Sequence, residues 1–318
     1  MNTAMLTPPV APSDDTKQGV SSLPPNKSPF RRRIVPYLYL SPTLILMIVL
    51  MAVPVIMVIW YSTMDNVITE QNPEFVGLDN YGKVLSNSEF WDAMKHTILF
   101  AGASVIAHII LGLAFGLLLN SEILSNVTKA VFRLILVLPW LFTVAIVAVL
   151  WRMLLNPNGV INHTLEALGF TDGRTEWLSN PSTALWSIIL INIWSGYPFY
   201  MISILAGLQG ISADLYEAAR VDGASAIQRF IHVTIPQLKP LLISLALLDF
   251  IWTTQNFALI WMTTGGGPMN VTDVLATFTY KLAFGKYQFS MASTSAVIIL
   301  LFSLILAVFY SRAQKSRG

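Results

Sequence analysis

Long stretches of this chain carry no charged residue, and that feature limits its possible folds most severely. Residues 34–64 hold no charge, and neither do residues 177–213. An α-helix needs about 20 apolar residues to cross the hydrocarbon of a bilayer, because each residue rises about 1.5 Å. Across the chain 54% of residues are hydrophobic and 11% are charged, whereas about a quarter of a soluble domain is charged. The sequence therefore predicts an integral membrane protein.

Six segments are long and apolar enough to span a bilayer. In chain order they cover residues 34–64, 97–120, 134–151, 184–208, 241–262 and 289–310. The fifth segment contains a single acidic residue, Asp249. The expected architecture is an all-α integral membrane protein with six transmembrane helices.

Lysine and arginine residues near the spans predict the orientation of the chain. The basic sequence "FRRRIVP" precedes the first span and "SRAQKSRG" follows the sixth, so both termini are expected in the cytoplasm. The loop of residues 65–92 is acidic and fits the outer side. Residues 1–30 are rich in Pro, Ser, Thr and Asn and are predicted to form a disordered cytoplasmic tail, followed by a membrane domain of residues 31–318.

Several classes of function are disfavoured by composition. The chain has no cysteine, which removes cysteine-ligated metals and thiol catalysis, and its net charge of +2 is too small to indicate nucleic acid. The sequences "GKV" at 82 and "GKY" at 285 lack the glycine and the Ser or Thr of a phosphate-binding loop. The residues His108 and His163 stand alone, without metal-ligand spacing, and are expected to be structural.

A polar insert, "LYEAARVDGASAIQRFIHVTIP", separates the fourth and fifth spans. Ser212 is a good N-cap for a short helix that Gly223 would stop, and Ser225 can cap a second helix. Pro236 and Pro240 are expected to end that second helix before the fifth span begins. The predicted orientation places this helix–turn–helix in the cytoplasm. Periodicity alone leaves open an amphipathic loop that lies on the lipid headgroups.

The insert resembles the EAA signature of permease subunits in ATP-binding-cassette (ABC) importers. The matching positions are Glu217, Ala218, Ala219, Gly223, Val233, Ile235 and Pro236. The resemblance implies a type I ABC importer permease fold, in which residues 212–236, called the coupling loop below, contain a coupling helix that docks on a separate ATPase. ATP and Mg²⁺ would then be bound by a partner ATPase dimer, with no cofactor on this chain.

Other stretches resemble the carbohydrate-uptake branch of these importers, similar to maltose-transporter permeases. They include "NIWSGYPFYMISILAGLQGISADLYEAA", "TTGGGPMNVTDVLATFTYKLAF", "FVGLDNY" and "VFRLILVLPW". The resemblance implies a bacterial inner-membrane transport subunit that is not itself an enzyme. It would work with a second related permease and an extracytoplasmic solute-binding protein. Polyols, glycosides and glycerophosphodiesters remain open alternatives to sugars.

Two rows of residues within the spans could face a solute. In the fifth span the residues Asp249, Thr253 and Asn256 share one helical face, and in the fourth span Asn192, Gly196 and Phe199 repeat that spacing. Gly196 is expected to open space, and Pro198 to weaken the helix beside it. By resemblance these rows, called the solute rows below, align with sugar-contacting positions of maltose-transporter permeases, and Trp140 aligns with an aromatic contact.

Each of these positions also has a structural interpretation. Asn, Thr and small residues commonly join membrane helices to one another. Asp249 lies roughly 12 Å into the membrane by helical rise, and its carboxylate suggests hydroxyl-rich or cationic solutes over anionic ones. An ion-coupled secondary transporter remains an alternative with Asp249 as its one candidate acid. A membrane enzyme would need a pair such as His with Asp or Glu, and no such pair is expected in the spans.

Overall fold

The computed structural model describes residues 29–171 and 174–315. This part of the chain consists of helices and loops, and its only strand-like feature is an isolated bridge between Met64 and Phe75. The all-α prediction is therefore confirmed for the described residues. The predicted tail falls mainly on residues 1–28, which lie outside the described residues, and residues 29 and 30 already belong to the first helix.

Fourteen α-helices follow one another in the described part of the chain. The first seven are α1 (Pro29–Met47), α2 (Val53–Ser62), α3 (Asp79–Leu85), α4 (Ser88–Asn120), α5 (Asn126–Leu141), α6 (Val144–Leu154) and α7 (Val160–Ala167). The others are α8 (Ala184–Gln209), α9 (Ala213–Val221), α10 (Ala226–Arg229), α11 (Ile235–Thr254), α12 (Ala258–Thr263), α13 (Leu275–Tyr280) and α14 (Phe289–Lys315). Short π-helical segments occupy Ile48–Ala52, Phe230–Thr234 and Lys281–Gly285.

The chain divides into two units, Met1–Pro54 and Val55–Gly318. The described part of the first unit is helical and contains the π-helical segment Ile48–Ala52. The second unit contains α3 to α14 and both candidate functional regions.

Among the described residues, 5 helices are long and apolar enough to cross a membrane. They are Pro36–Ser62, Ser88–Asn120, Ala184–Gln209, Ala226–Thr254 and Phe289–Arg312. The pair Asn126–Leu141 and Val144–Leu154 would make a sixth span if it is counted as one. The second span starts earlier than predicted, at Ser88, because Asn87 caps α4 by accepting a hydrogen bond from the Glu89 backbone N–H.

The predicted third span, residues 134–151, is broken into the end of α5 and the start of α6. Helices α5 and α6 meet at an angle of 99°. Phe142 leaves the helical conformation, and the Thr143 hydroxyl accepts a hydrogen bond from the Ile146 N–H at 3.5 Å. A threonine that caps a new helix inside an apolar stretch is hard to recognise, because hydropathy does not reveal it.

The fifth span also differs from its predicted bounds. Its helix runs from Ala226 to Thr254, so Pro236 and Pro240 do not end the second helix of the coupling loop. Pro236 occupies the first turn of α11, where a missing N–H is tolerated, and the preceding π-helical turn joins the Ile235 N–H to the Phe230 carbonyl. Residues 255–257 then separate α11 from α12.

Helices α4 and α8 pack closely, and glycine makes this possible. A Cβ on Gly112 of α4 would lie 2.5 Å from the Cβ of Tyr200 and 3.0 Å from its backbone carbon on α8. One turn further on, a Cβ on Gly116 would lie 3.2 Å from Ile204. Small residues let membrane helices approach at the backbone level, where van der Waals packing holds them together. The α4–α8 pair therefore forms the centre of the second unit.

We expect Gly112→Ala to destabilise the protein, because the added methyl group must push α8 away from α4. Overpacking of this kind typically costs about 1–3 kcal/mol. Gly102→Ala is the matched control, since the same helix offers open space there and alanine is the better helix former. Thermal unfolding in detergent should show a lower Tm for Gly112→Ala alone. Equal Tm values for the two variants would contradict the close packing.

Candidate functional site

The coupling loop folds as a helix, a tight turn and a second helix. The Ser212 side chain caps α9, and Ser225 forms a capping box with Gln228 at the start of α10. Gly223, between them, has φ +80°, a conformation that glycine adopts without strain. The Arg229 guanidinium donates to the Ala224 carbonyl at 2.7 Å and closes the turn. The predicted caps and the glycine stop are confirmed.

The surface of the coupling loop is exposed and partly apolar. Helix α9 has no buried residue, and Glu217 and Ala218 on it are exposed. The exposed apolar side chains of the loop are Leu215, Val221, Ile227 and Ile231. A hydrogen bond between the hydroxyl groups of Tyr216 and Thr234, 2.9 Å apart, ties α9 to the following helical segment. A short helix that buries none of its own side chains is suited to contact a partner.

Asp249 is surrounded by hydrogen-bond donors from three helices. Its Oδ2 lies 2.7 Å from Nδ1 of His108 and 3.0 Å from the Tyr200 hydroxyl, and its Oδ1 accepts from Thr253 at 3.1 Å. The exposed fraction of the side chain is 14% for Asp249 and 2% for His108. The structure thus places the most polar member of the solute rows in a protein-internal network.

Three predictions about this region were wrong. His108 is not alone, and the spans do contain a His–Asp pair, although the two residues are 141 positions apart. Gly196 does not open free space, because a Cβ there would collide with the His108 imidazole. Pro198 lies inside the uninterrupted helix α8, and the expected weakening of that helix stays a prediction. Sequence spacing could not reveal the contacts of His108 with Asp249 and Gly196, because they join residues of different helices.

Asn192 and Asn256 bridge the two solute rows. The Asn256 amide donates to Oδ1 of Asn192 at 3.3 Å, and the Asn256 Oδ1 accepts from the Leu259 N–H at 3.4 Å. Nδ2 of Asn192 is buried and has no hydrogen-bond partner among the described residues. The rows predicted from spacing therefore do lie side by side, and one polar donor within them is unused.

An aromatic patch lies beside the solute rows. The Phe199 ring has its centroid 6.1 Å from that of Trp140 and 6.1 Å from that of Trp252. Trp140 is 52% exposed and Trp252 is 58% exposed. We refer to Trp140, Phe199 and Trp252 as the aromatic patch. Its exposed ring faces can contact the apolar face of a solute or another protein.

Asp273 closes the loop between α12 and α13. It is 5% exposed, its Oδ2 pairs with Lys281 at 2.7 Å, and its Oδ1 has no partner among the described residues. A Cβ on Gly266 would collide with this carboxyl group. Burial raises the pKa of Asp273, and the Lys281 ammonium lowers it by less. The buried acid thus holds the predicted outer turn against α13.

The raised pKa predicts a pH dependence of stability. The native state binds the Asp273 proton more tightly than the unfolded chain does, so this residue's contribution is most favourable at low pH and falls as pH rises above its ordinary value of 3.8. We expect Asp273→Asn to flatten that part of the Tm profile. Asp92→Asn is the control, because Asp92 also pairs with a lysine but is 59% exposed. An unchanged profile in Asp273→Asn would contradict this assignment.

Comparison with known proteins agrees with these features. Residues 108–316 match the family described as "Binding-protein-dependent transport system inner membrane component". The chain is 37% identical over 284 residues to the trehalose/maltose transport system permease protein MalF of Thermococcus litoralis, covering 89% of this chain and 93% of that protein. It is 31% identical over 287 residues to the sulfoquinovosyl glycerol transport system permease protein SmoG of Agrobacterium fabrum, covering 90% and 92%.

Solved structures share the fold. A bacterial ABC transporter involved in the import of the acidic polysaccharide alginate matches with a TM-score of 0.78 and 24% identity, over 91% of this chain and 98% of that chain. The alginate transporter in complex with an alginate pentasaccharide-bound periplasmic protein matches with a TM-score of 0.77 and 24% identity, over 88% of this chain and 94% of that chain.

Within the described residues, no cluster of His, Cys, Asp or Glu could hold a metal ion.

Proposed function

The chain belongs to the family of inner-membrane components of binding-protein-dependent transport systems, and from that premise we propose that it forms half of the translocation pathway of an ATP-driven sugar importer. It is a multi-pass membrane permease subunit of an ABC importer, and a transport subunit, not an enzyme. The comparisons do not favour an ion-coupled secondary transporter. The pathway's other half would come from a second, related permease.

The coupling loop is the observation that carries this proposal. Helix α9 has no fully buried residue; Glu217 and Ala218 are exposed and Ala219 is half-buried. Its N-terminal end follows directly from α8, and α10 continues without a break into α11. A force on α9 is therefore applied to two membrane helices at once. An ATPase dimer that binds ATP and Mg²⁺ beneath the membrane would supply that force.

The orientation follows from this assignment. With the coupling loop in the cytoplasm, an even number of spans places both termini there, in a bacterial inner membrane. The opposite face then contains a cavity of about 610 Å³, with Arg152, Glu176 and Thr264 among its lining residues. A solute-binding protein would dock on that face. The alginate transporter with its bound periplasmic protein, which shares this fold, supports such a partner.

Co-purification tests the coupling assignment. We expect Gly223→Leu to release the ATPase while the second permease stays bound, because a side chain at φ +80° distorts the turn between α9 and α10. Gly169→Leu is the matched control, since Gly169 has φ +73° and equally open surroundings but lies in the loop after α7, on the other side of the membrane. The measurement is mass spectrometry of the complex pulled down from native membranes in mild detergent.

Two outcomes would contradict the coupling assignment. Loss of the ATPase in both glycine variants would indicate general distortion of the protein instead of a specific contact. Purification of the wild-type chain without an ATPase or a second permease, in several detergents, would contradict the assignment as an importer subunit. The secondary transporter would then be the favoured hypothesis.

The aromatic patch and the solute rows support a sugar or a related polyhydroxy solute. Sugars offer hydroxyl groups to polar side chains and apolar faces to aromatic rings. The rings of Trp140 and Trp252 lie against Phe199, which shares a row of α8 with Asn192, and Nδ2 of Asn192 has no partner among the described residues. Relatives named for trehalose/maltose, diacetylchitobiose and sulfoquinovosyl glycerol transport fit this class. We therefore assign Trp140, Phe199, Asn192 and Asn256 to the solute path.

Removal of one ring of the patch should weaken transport. We expect Trp140→Ala to raise the KM of uptake about tenfold, because a stacked aromatic contact contributes on the order of 1 kcal/mol beyond the burial of its area. Trp186→Ala is the control, since Trp186 is also exposed, at 57%, but lies at the start of α8. Labelled trehalose and maltose are the first solutes to assay, followed by whatever the co-purified binding protein retains. Equal effects of the two variants would remove the patch from the solute path.

A further inference from the structure

The imidazole of His108 is held between two hydrogen-bond acceptors. Its Nδ1 lies 2.7 Å from Oδ2 of Asp249, and its Nε2 lies 3.1 Å from the backbone carbonyl oxygen of Asn192. The ring also packs against Tyr200, with centroids 5.4 Å apart, and Gly196 leaves it room on α8. A residue 2% exposed is thus fixed on every side by α8 and α11.

The geometry fixes where the protons must be. A carbonyl oxygen can only accept, so Nε2 of His108 must carry a proton. The short contact between Nδ1 and Asp249 needs a second proton, either on the imidazole or on the carboxyl group. The pair as a whole therefore holds one proton more than a neutral histidine and an ionised aspartate would hold together.

The surroundings of Asp249 place that second proton on the histidine. The Thr253 hydroxyl donates to Oδ1, and the Tyr200 hydroxyl lies within hydrogen-bond distance of Oδ2 and of the Leu245 carbonyl. A carboxyl group that faces several donors is stabilised in its ionised form. We propose that His108 and Asp249 form a buried imidazolium–carboxylate pair, in which His108 is the positioning residue that holds Asp249 and neutralises its charge.

Among the described residues, no other charged group forms an ion pair with either member of the pair. In the described residues the ion pair of Asp249 is with His108 alone. The other titratable groups on the packed helices are Glu89, Asp92, Lys95 and His96 on α4, Lys129 and Arg133 on α5, Tyr197 and Tyr200 on α8, Lys239 on α11, and Tyr310, Arg312 and Lys315 on α14. Of these, Tyr200 contacts the pair and carries no charge as a hydroxyl donor.

The His108–Asp249 pair changes which polar groups of the solute rows are available to a solute. This inference rests on the proposed solute path. With its charge neutralised and its oxygens occupied, Asp249 does not select against anionic solutes, contrary to the expectation from sequence. The rows then contain neutral polar groups, chiefly Asn192 and Asn256, and the ring of Phe199, which belongs to the aromatic patch. His108 and Asp249 instead join α4 to α11, and the Asn192 contact joins α4 to α8.

The protonation state can be measured directly. The chain holds 4 histidines, so ¹⁵N-histidine labelling of the purified chain in detergent gives few signals, and His108→Gln assigns the one of interest. We expect the His108 signal at neutral pH to be that of an imidazolium, with both ring nitrogens protonated. A neutral ring would overturn the proposal.

Thermal unfolding of variants separates charge compensation from packing. We expect His108→Gln to lower Tm by on the order of 10 °C, because it leaves a buried carboxylate without its counter-charge. Its Tm should rise as pH falls, since protonation removes that charge. His163→Gln, at an exposed position of α7, is the matched control. Adding Asp249→Asn to His108→Gln should recover part of the lost Tm and abolish its pH dependence.

Two results would overturn the pair. Additive and pH-independent losses for His108→Gln and Asp249→Asn would assign both residues a packing role only. Full stability of His108→Gln would show that Asp249 needs no counter-charge. Both measurements are made on the chain itself, so they stand even if no ATPase co-purifies. Failure of the importer assignment is thereby distinguished from failure of the pair.

Discussion

The close approach of α4 to α8 is the contact on which the rest of the second unit depends. Gly112 and Gly116 bring the two backbones together, because no side chain stands between the helices at these positions. Gly196 extends the same principle to a side chain, since only a glycine leaves room for the His108 ring. That ring then reaches α11 through Asp249. Three helices are joined at one level as a result, and packing and polar contacts support one another there.

Two of these three helices, α8 and α11, connect the candidate functional regions. Helix α8 runs from the Asn192 row to the beginning of α9, and the helix of residues 226–254 runs from the coupling loop back to Asp249 and Thr253. The coupling loop has little packing of its own, and its ends are fixed by these two helices. If the coupling loop docks on an ATPase as proposed, a displacement of α9 would act on the two helices that carry the solute rows, because α9 is connected in sequence to both.

Local features of the fold were predictable from the sequence, and contacts between distant residues were not. Ser212, Gly223 and Ser225 act through neighbours a few positions away, so their caps and turn could be recognised directly. The effect of Pro236 depends on whether a π-helical turn precedes it, which spacing does not reveal. The pairing of His108 with Asp249 depends on the register of two helices far apart in sequence. Hydropathy sets the length of such helices but leaves their rotation undetermined.

Polar groups that already have hydrogen-bond partners can be distinguished from those that are candidates for contact with a solute. A buried polar group that already has its partners gains little from a solute, because binding would only replace one hydrogen bond by another. Asp249 belongs to that class, since both of its oxygens accept from protein donors. Nδ2 of Asn192 lacks a partner among the described residues, and the faces of Trp140 and Trp252 are exposed. Unpaired donors and exposed rings gain most from contact with a solute. We therefore expect these groups, and not the charged Asp249, to line the solute path.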